Sequence, residues 1–325
     1  MISAGNALVA ALSDDVDRLL AAEPEVRADA YDSVHQMRVA TRRLRSVLRS
    51  YRRLFEQAPA AAMGDELKWL AGLLGVARDA EVRADRFATL LAAHARPAES
   101  GTAASDSAGT PDSSTSTADE PVPAGSESDG ADIAAADIEF VTTELVGAER
   151  ARYANAHAEV LAELDGDRYR KLRDELSTWR TDPPLDPAKA AKPAVDAFAR
   201  VLRRDRKRLR RLVFAEPAVP PAERVELLHD IRKGAKRLRY SCEGAAETLG
   251  VSATELGSSA KRLQTVLGDH RDAVESREAI LARAAESPAR GQGAALYEIL
   301  ADAEEIAAGK ALARYPTAAT FVSAD

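Results

Sequence analysis

The chain has 325 residues, 46% of them hydrophobic but only 5% aromatic, and a formal net charge of −7. That length supplies a real core; the apolar content is mostly Ala and Leu with few β-branched runs, which excludes a sheet-rich protein and predicts an all-α one. The single cysteine, Cys242, excludes an internal disulfide and fits a reducing cytoplasm; Met1 to Ala11 lacks the basic start of an export signal, and no stretch reaches the eighteen or so apolar residues of a membrane span, so a cytoplasmic chain without membrane insertion is expected.

In chain order, apolar periodicity predicts helices over 2–22, 32–56, 60–94, 133–164, 167–181, 190–215, 221–249, 253–285 and 292–309. Pro24, Pro59, Pro183, Pro184, Pro187, Pro217, Pro220, Pro221 and Pro288 punctuate these segments, while Asp32, Ser33, Asp167 and Ser252 are expected to cap helix starts. Between the third and fourth helices, residues 97–132 are almost all Ser, Thr, Ala, Gly, Pro, Asp and Glu. They cannot bury enough apolar surface to offset the entropy of ordering and predict a disordered insertion. This insertion carries eight acids and no Lys or Arg, so the rest of the chain has a net charge of +1 rather than −7. Charge is segregated, and an anionic ligand is not excluded.

The second predicted helix carries Val34-His35-Gln36-Met37-Arg38-Val39-Ala40-Thr41-Arg42-Arg43-Leu44-Arg45, which aligns without gaps to Leu228-His229-Asp230-Ile231-Arg232-Lys233-Gly234-Ala235-Lys236-Arg237-Leu238-Arg239 in the seventh. Forty residues after His35 comes Leu74-Gly75-Val76-Ala77-Arg78-Asp79, and thirty-nine after His229 comes Leu267-Gly268-Asp269-His270-Arg271-Asp272. Two ordered matches at nearly equal spacing indicate a duplicated helical unit. Residues 1–182 and 183–325 would be the two repeats, together one domain.

On a helix, His35, Arg38, Arg42, Arg45 and Arg49 share one face, and Val34, Met37, Leu44, Val47, Leu48 and Tyr51 another. His229, Arg232, Lys236 and Arg239 repeat the stripe, with Leu228, Ile231, Ala235, Leu238 and Cys242 as the packing side. An ordinary solvated face mixes signs because like charges at i,i+4 repel. From His35 to Arg53 there are seven arginines and no acid, an arrangement that a bound polyanion would relieve, and Arg forks suit phosphate oxygens. A third basic run, Arg200 to Arg211, places Arg200, Arg204, Arg208 and Arg211 on one face with a single acid, Asp205, among them. His35 and His229 have no His or carboxylate at i+4, so no metal site is expected. Gly75, Arg78 and Asp79, with Gly268, Arg271 and Asp272, are expected to mark close helix packing, the Arg and Asp either pairing internally or fixing the basic helices; Lys68 and Lys261 precede them at equal distance.

At these residues the chain resembles the CHAD family, the conserved-histidine α-helical domain, whose pattern is a histidine followed by regularly spaced Arg and Lys in each of two repeats. The resemblance implies two pseudo-symmetric four-helix bundles whose basic helices meet at a central groove or pore that binds inorganic polyphosphate, at polyphosphate granules. Carried over, the polyphosphate-binding set is His35, Arg38, Arg42, Arg45 and Arg49 with His229, Arg232, Lys236 and Arg239; Arg204, Arg208 and Arg211 join it on helix geometry. No Glu-x-Glu-x-Lys motif of the catalytic domain often fused to such proteins occurs. The expectation is a binding module, neither an enzyme nor dependent on a cofactor. RNA is the first alternative ligand, disfavoured because few aromatics accompany the basic faces. An enzyme using His35 or His229 is the second, disfavoured because no Walker loop, paired-carboxylate site or triad accompanies them.

Overall fold

The computed structural model describes residues 2–94, 133–286 and 291–323. The predicted disordered insertion, 97–132, lies outside them. The fold is all-α: among the described residues, backbone pairing outside helices and turns is confined to two isolated bridges, Ser3 with Pro193 and Phe55 with Leu185. Its helices are α1 (Ala4–Arg27), α2 (Ser33–Ser50), α3 (Gln57–His94), α4 (Ala135–Thr142), α5 (Ala148–Leu164), α6 (Asp167–Trp179), α7 (Pro187–Ala190), α8 (Ala194–Ala215), α9 (Pro221–Leu249), α10 (Val251–Glu286), α11 (Ala294–Ala313) and α12 (Tyr315–Ala319).

Each of the nine predicted segments is helical, but their ends and joints differ. α1 runs through Pro24 to Arg27, and the chain then turns through Asp29 and Asp32, both at positive φ. The segment predicted as one helix over 133–164 is divided by a π-type turn, Thr143–Gly147, a widening that periodicity does not reveal. α7 and α12 are too short to show a period. The caps were misplaced. Asp32 precedes α2 in a left-handed conformation that makes no capping bond; its carboxylate accepts instead from Gln36 Nε2 at 2.6 Å. Ser33 opens α2, Asp167 follows the N-cap Gly166 of α6, and Ser252 lies inside α10. Side-chain caps occur at Ser3, which accepts from Asn6 N at 3.2 Å, and at Asp186, which accepts from Lys189 N at 3.1 Å.

Packing follows chain order. In the first half α1 packs on α2, α2 on α3 and α3 on α5; in the second α8 packs on α9, α9 on α10 and α10 on α11. α2 and α9 also meet each other. One continuous hydrophobic core contains residues of both halves, from Leu8, Leu12 and Met37 to Phe198, Ile231 and Leu263, so the halves share an interior. A smaller cluster sits at the far ends of α3 and α10, where Phe87 and Ile280 meet Leu145, Leu296 and Leu300. The packing sides read from the sequence are buried: Val34, Met37, Leu44, Val47, Leu48 and Tyr51 on and just after α2, and Leu228, Ile231, Ala235, Leu238 and Cys242 on α9. Burial of each large side chain stabilises by about 1.5–3 kcal/mol and leaves the opposite faces of the two helices to their cations.

Polar contacts seal the junction of α2, α8 and α9. Tyr51 donates its hydroxyl to Ser241 O at 2.8 Å, and its ring lies 4.6 Å from that of Phe198. Ser241 Oγ is 2.8 Å from Asp205 Oδ2 and 2.7 Å from Ser50 Oγ, so it donates to the carboxylate and accepts from the serine. All three side chains are buried, and removing Ser241 would break both bonds, leaving Asp205 with Arg204 alone. Gly234 lets α8 approach α9: a Cβ there would stand 3.2 Å from Leu209.

Candidate functional site

The two stripes converge where α2 meets α9. Arg38 and Arg42 from α2 face Arg232 and Lys236 from α9, and the Arg42 charge helps to lower the pKa of the other three. Burial and the guanidinia of Arg42, Arg232 and Arg38 together pull the Lys236 ammonium down to about 7. Arg38 and Arg232 are likewise lowered, in each case mainly by burial. Asp272 is the carboxylate that opposes this at Lys236, and its own pKa is raised by burial. Charge is thus concentrated in a place that penalises it.

Three clefts open from this centre. The largest, about 650 Å³, lies between α2, the start of α3 and α9; Arg42, Arg45, Arg49, Arg52, Lys68 and Lys236 line it against one acid, Asp65. A second, about 270 Å³, adjoins it through Ser46, Arg49 and Lys236 and adds Arg208, Lys233 and Arg237, with Asp230 as its acid. Asp230 is already engaged by Lys233 at 2.6 Å. Among the described residues, no carboxylate lies within 4.0 Å of a cationic nitrogen of Arg42, Arg45, Arg49, Arg52, Lys68, Arg208, Arg232, Lys236 or Arg237; the ion pairs of the chain lie elsewhere. The third cleft, about 250 Å³, holds His229 and Arg232 with His270, Arg271 and three glutamates, Glu226, Glu275 and Glu278.

The Leu-Gly-x-x-Arg-Asp elements position the stripes. A Cβ on Gly75 would stand 3.6 Å from the Arg38 guanidinium, and one on Gly268 would stand 3.6 Å from Arg232 Nε, so in both copies the arginine crosses a bare backbone. Asp79 holds Arg38 at 3.2 Å, while Asp272 acts on Arg232 through its field. Arg38 Nε and Arg232 Nε are both buried without a hydrogen-bond partner among the described residues. Arg78 pairs with Glu81 at 2.9 Å and Asp32 at 3.5 Å, and Arg271 pairs with Glu275 and lies against the His229 ring. Of the two roles open to these elements, fixing the basic helices is the one the contacts display.

The histidines sit at the edge of this cluster. Burial and the neighbouring Arg78 lower the His35 pKa, and burial and Arg271 lower that of His229. Both rings are therefore neutral at pH 7 in the unliganded protein, and a nearby anion would draw a proton onto them. Three other expected residues are turned to protein partners or away. Arg239 pairs with Glu243 at 2.7 Å and lies 5.2 Å from the Tyr240 ring centroid. Arg204 pairs with its neighbour Asp205 at 3.0 Å and donates to Ser50 O. Arg211 is exposed on α8 and lines none of the three clefts.

Besides Lys233, which Asp230 holds, two cleft cations escaped the sequence pattern. Arg52 follows α2 on a 3₁₀ turn, outside the helical stripe, and Arg237 sits one position beyond it on α9. Arg237 is pulled down to about 10 by burial and by Arg49, Arg208 and Arg204. Its alignment with Arg43 was visible, but the two differ in surroundings: Arg43 reaches Asp15 at 2.9 Å and Glu243 at 3.3 Å.

Comparison with known proteins shows the family and the fold of the chain. The family model described as "CHAD domain" matches residues 10–281. The uncharacterized proteins MT2285 and Rv2226 of Mycobacterium tuberculosis, from strains CDC 1551 / Oshkosh and ATCC 25618 / H37Rv, are each 34% identical over 292 residues, covering 89% of this chain and 48% of theirs. The chain thus spans about half the length of the curated relatives it matches. PptA from Streptomyces chartreusis superposes with a TM-score of 0.70 at 18% identity, covering 97% of this chain and 99% of that one. The CHAD domain from the plant Ricinus communis gives 0.56 at 20% identity, covering 99% and 90%. With the duplicated histidine-led stripes and a family match over most of its length, the chain belongs to the CHAD domain family.

Proposed function

We propose that this chain binds inorganic polyphosphate, holding successive phosphoryl groups with the cations that line the two adjoining clefts between α2, α3, α8 and α9. The observation that carries the reading is the absence of ion pairing among described residues for Arg42, Arg45, Arg49, Lys236 and Arg237, although burial and the neighbouring guanidinia lower the pKa of Arg45, Lys236 and Arg237. Such a cluster is costly without a ligand, and a linear polyanion offers one charge per short repeat along the clefts. The CHAD resemblance implies the same ligand and extends the reading to polyphosphate granules in the cytoplasm.

A polyphosphate is favoured over RNA by the aromatic side chains. Tyr240, which borders the larger cleft, is 5% exposed, and Tyr51 and Phe55 are 1% exposed, so none offers a face on which a base could stack. The same clefts present guanidinia and lysine amines with a single aspartate in each, Asp65 and Asp230, rather than paired carboxylates able to organise Mg²⁺, and we extend the proposal to binding without turnover.

The test is a titration of long-chain polyphosphate against the wild type and an Arg45→Ala, Arg49→Ala double variant, with single-stranded RNA of matched charge as competitor. Tight binding that the variant loses and RNA displaces poorly is expected, with affinity falling steeply as salt rises. Equal or tighter binding of RNA overturns the ligand assignment. Incubation with polyphosphate, ADP and Mg²⁺ should leave chain length unchanged; shortening, or formation of ATP, overturns the non-enzymatic reading.

A further inference from the structure

Lys236 differs from other lysines of the chain in its surroundings. Lys189 and Lys233 each hold a carboxylate at 2.6 Å, whereas Lys310 and Lys261 are exposed. Lys236 lines both basic clefts at the point where they adjoin, and no carboxylate lies within 4.0 Å of it among the described residues. Arg38 and Arg42 on α2, Arg232 on its own helix and Asp272 on α10 set its field. Across the clefts stand Lys68 and Asp65 of α3 and Arg208 of α8. An amine so placed stands among guanidinia able to hold a phosphate.

We propose that Lys236 is a site of N-acylation by acyl phosphates, the surrounding guanidinia holding the donor's phosphate while the amine attacks its acyl carbon. A bond forms between Nζ and that carbon, and the carbon–oxygen bond to phosphorus breaks. Inorganic phosphate departs with the electron pair and the amine's proton passes to it or to water, so the step is a balanced acyl transfer without oxidation or reduction. Two requirements meet at one place: a cationic surround that holds the donor and stabilises its leaving group, and an amine that is about half unprotonated at neutral pH, since burial and its arginine neighbours bring it to about 7. The product is a neutral amide at the centre of the cation cluster. Its consequence, loss of polyanion affinity, rests on the function proposed above; the acylation itself does not.

The experiment uses the wild-type chain with acetyl phosphate at pH 7, with acetylation at each lysine followed by mass spectrometry of its peptides. Lys236 is expected to react about 10-fold or more faster than exposed Lys310, with a rate that levels above pH 7 while that of Lys310 keeps rising. Substituting the uncharged donor N-acetylimidazole should reduce the preference for Lys236. Equal rates at Lys236 and Lys310 overturn the proposal, as does a preference indifferent to the phosphate. In the second arm, acetylated wild type should bind polyphosphate about 10-fold more weakly than untreated wild type, while treated and untreated Lys236→Arg, compared only with each other, should not differ; unchanged affinity of the acetylated wild type overturns the consequence. Failure of untreated wild type to bind polyphosphate would instead overturn the function proposed above and leave the acylation result standing.

Discussion

Arg43 and Arg237 occupy the same position in the repeated motif and lie in opposite electrostatic settings. On the α1 flank, Arg43 meets buried Asp15 and Glu243, and a cavity of about 470 Å³ there is lined by Asp14, Asp15, Glu243 and Glu247 with Arg18 and Arg43. On the α8 flank, Arg237 faces Arg49 and Arg208, and the nearby acid Asp205 is already held by Arg204 and Ser241. Both flanks bury one aspartate, Asp15 at 4% and Asp205 at 3% exposure. Around it α1 carries Asp14 and Asp17 where α8 carries Arg204 and Lys207. The lesson is that arginine placement alone does not define the ligand surface; the placement of acids decides which arginines remain available.

That contrast can be broken or sharpened by experiment. Between the two flanks the largest effect is expected from Arg208→Ala with Arg237→Ala, which should weaken polyphosphate binding about 30-fold at physiological salt and lower the salt dependence by roughly two ions, both read by titration at several salt concentrations. At the aligned position, Arg43→Ala should leave affinity within about twofold but lower unfolding stability by about 1–3 kcal/mol in a denaturant titration, because it leaves buried Asp15 with only the half-exposed Arg18 as its ion-pair partner.

A pH series tests the centre of the site. The Lys236 pKa is lowered to about 7 in the folded chain, so between pH 7 and the unfolded lysine's value near 10.5 the unfolded chain binds more protons. Stability contributed by Lys236 therefore rises with pH across that window and is absent below it. The melting temperature of the unliganded wild type should rise from pH 7 to 9 relative to that of Lys236→Met. Polyphosphate affinity should fall several-fold over the same range, because the bound state favours the ammonium. The smallest effect is expected from converting α1 toward α8: Asp14→Arg with Asp17→Lys should tighten binding about two- to threefold at low salt, an increase lost at high salt.

Much of this was legible from the residues. The repeat placed His35 over His229, Arg38 over Arg232 and Gly75 over Gly268, and the chemistry of those types survives in the fold, since the arginines cross the glycines in both copies. Helical periodicity located the packing sides of α2 and α9 because that signal depends on local spacing alone. What escaped depends on contacts between elements. Arg204 and Arg239 share a helix face with cleft residues, yet a neighbouring carboxylate claims each. The likeness of α1 to α8 was hidden for two reasons: Asp15 lies twenty residues before His35 but Asp205 twenty-four before His229, and the flanking charges are reversed, leaving only apolar matches such as Leu12 with Leu202 and Leu19 with Leu209.

The most direct test compares two double variants that each remove two basic side chains. Arg42→Ala with Lys236→Ala empties the centre, and Arg18→Ala with Arg180→Ala removes two arginines of the α1 flank, where they pair with Asp15 and Asp17. Isothermal titration with long-chain polyphosphate should show a loss of about 100-fold or more for the first and less than about threefold for the second. Equal losses would mean that the polyanion responds only to net charge, and would contradict a site built from unpaired cations across α2 and α9.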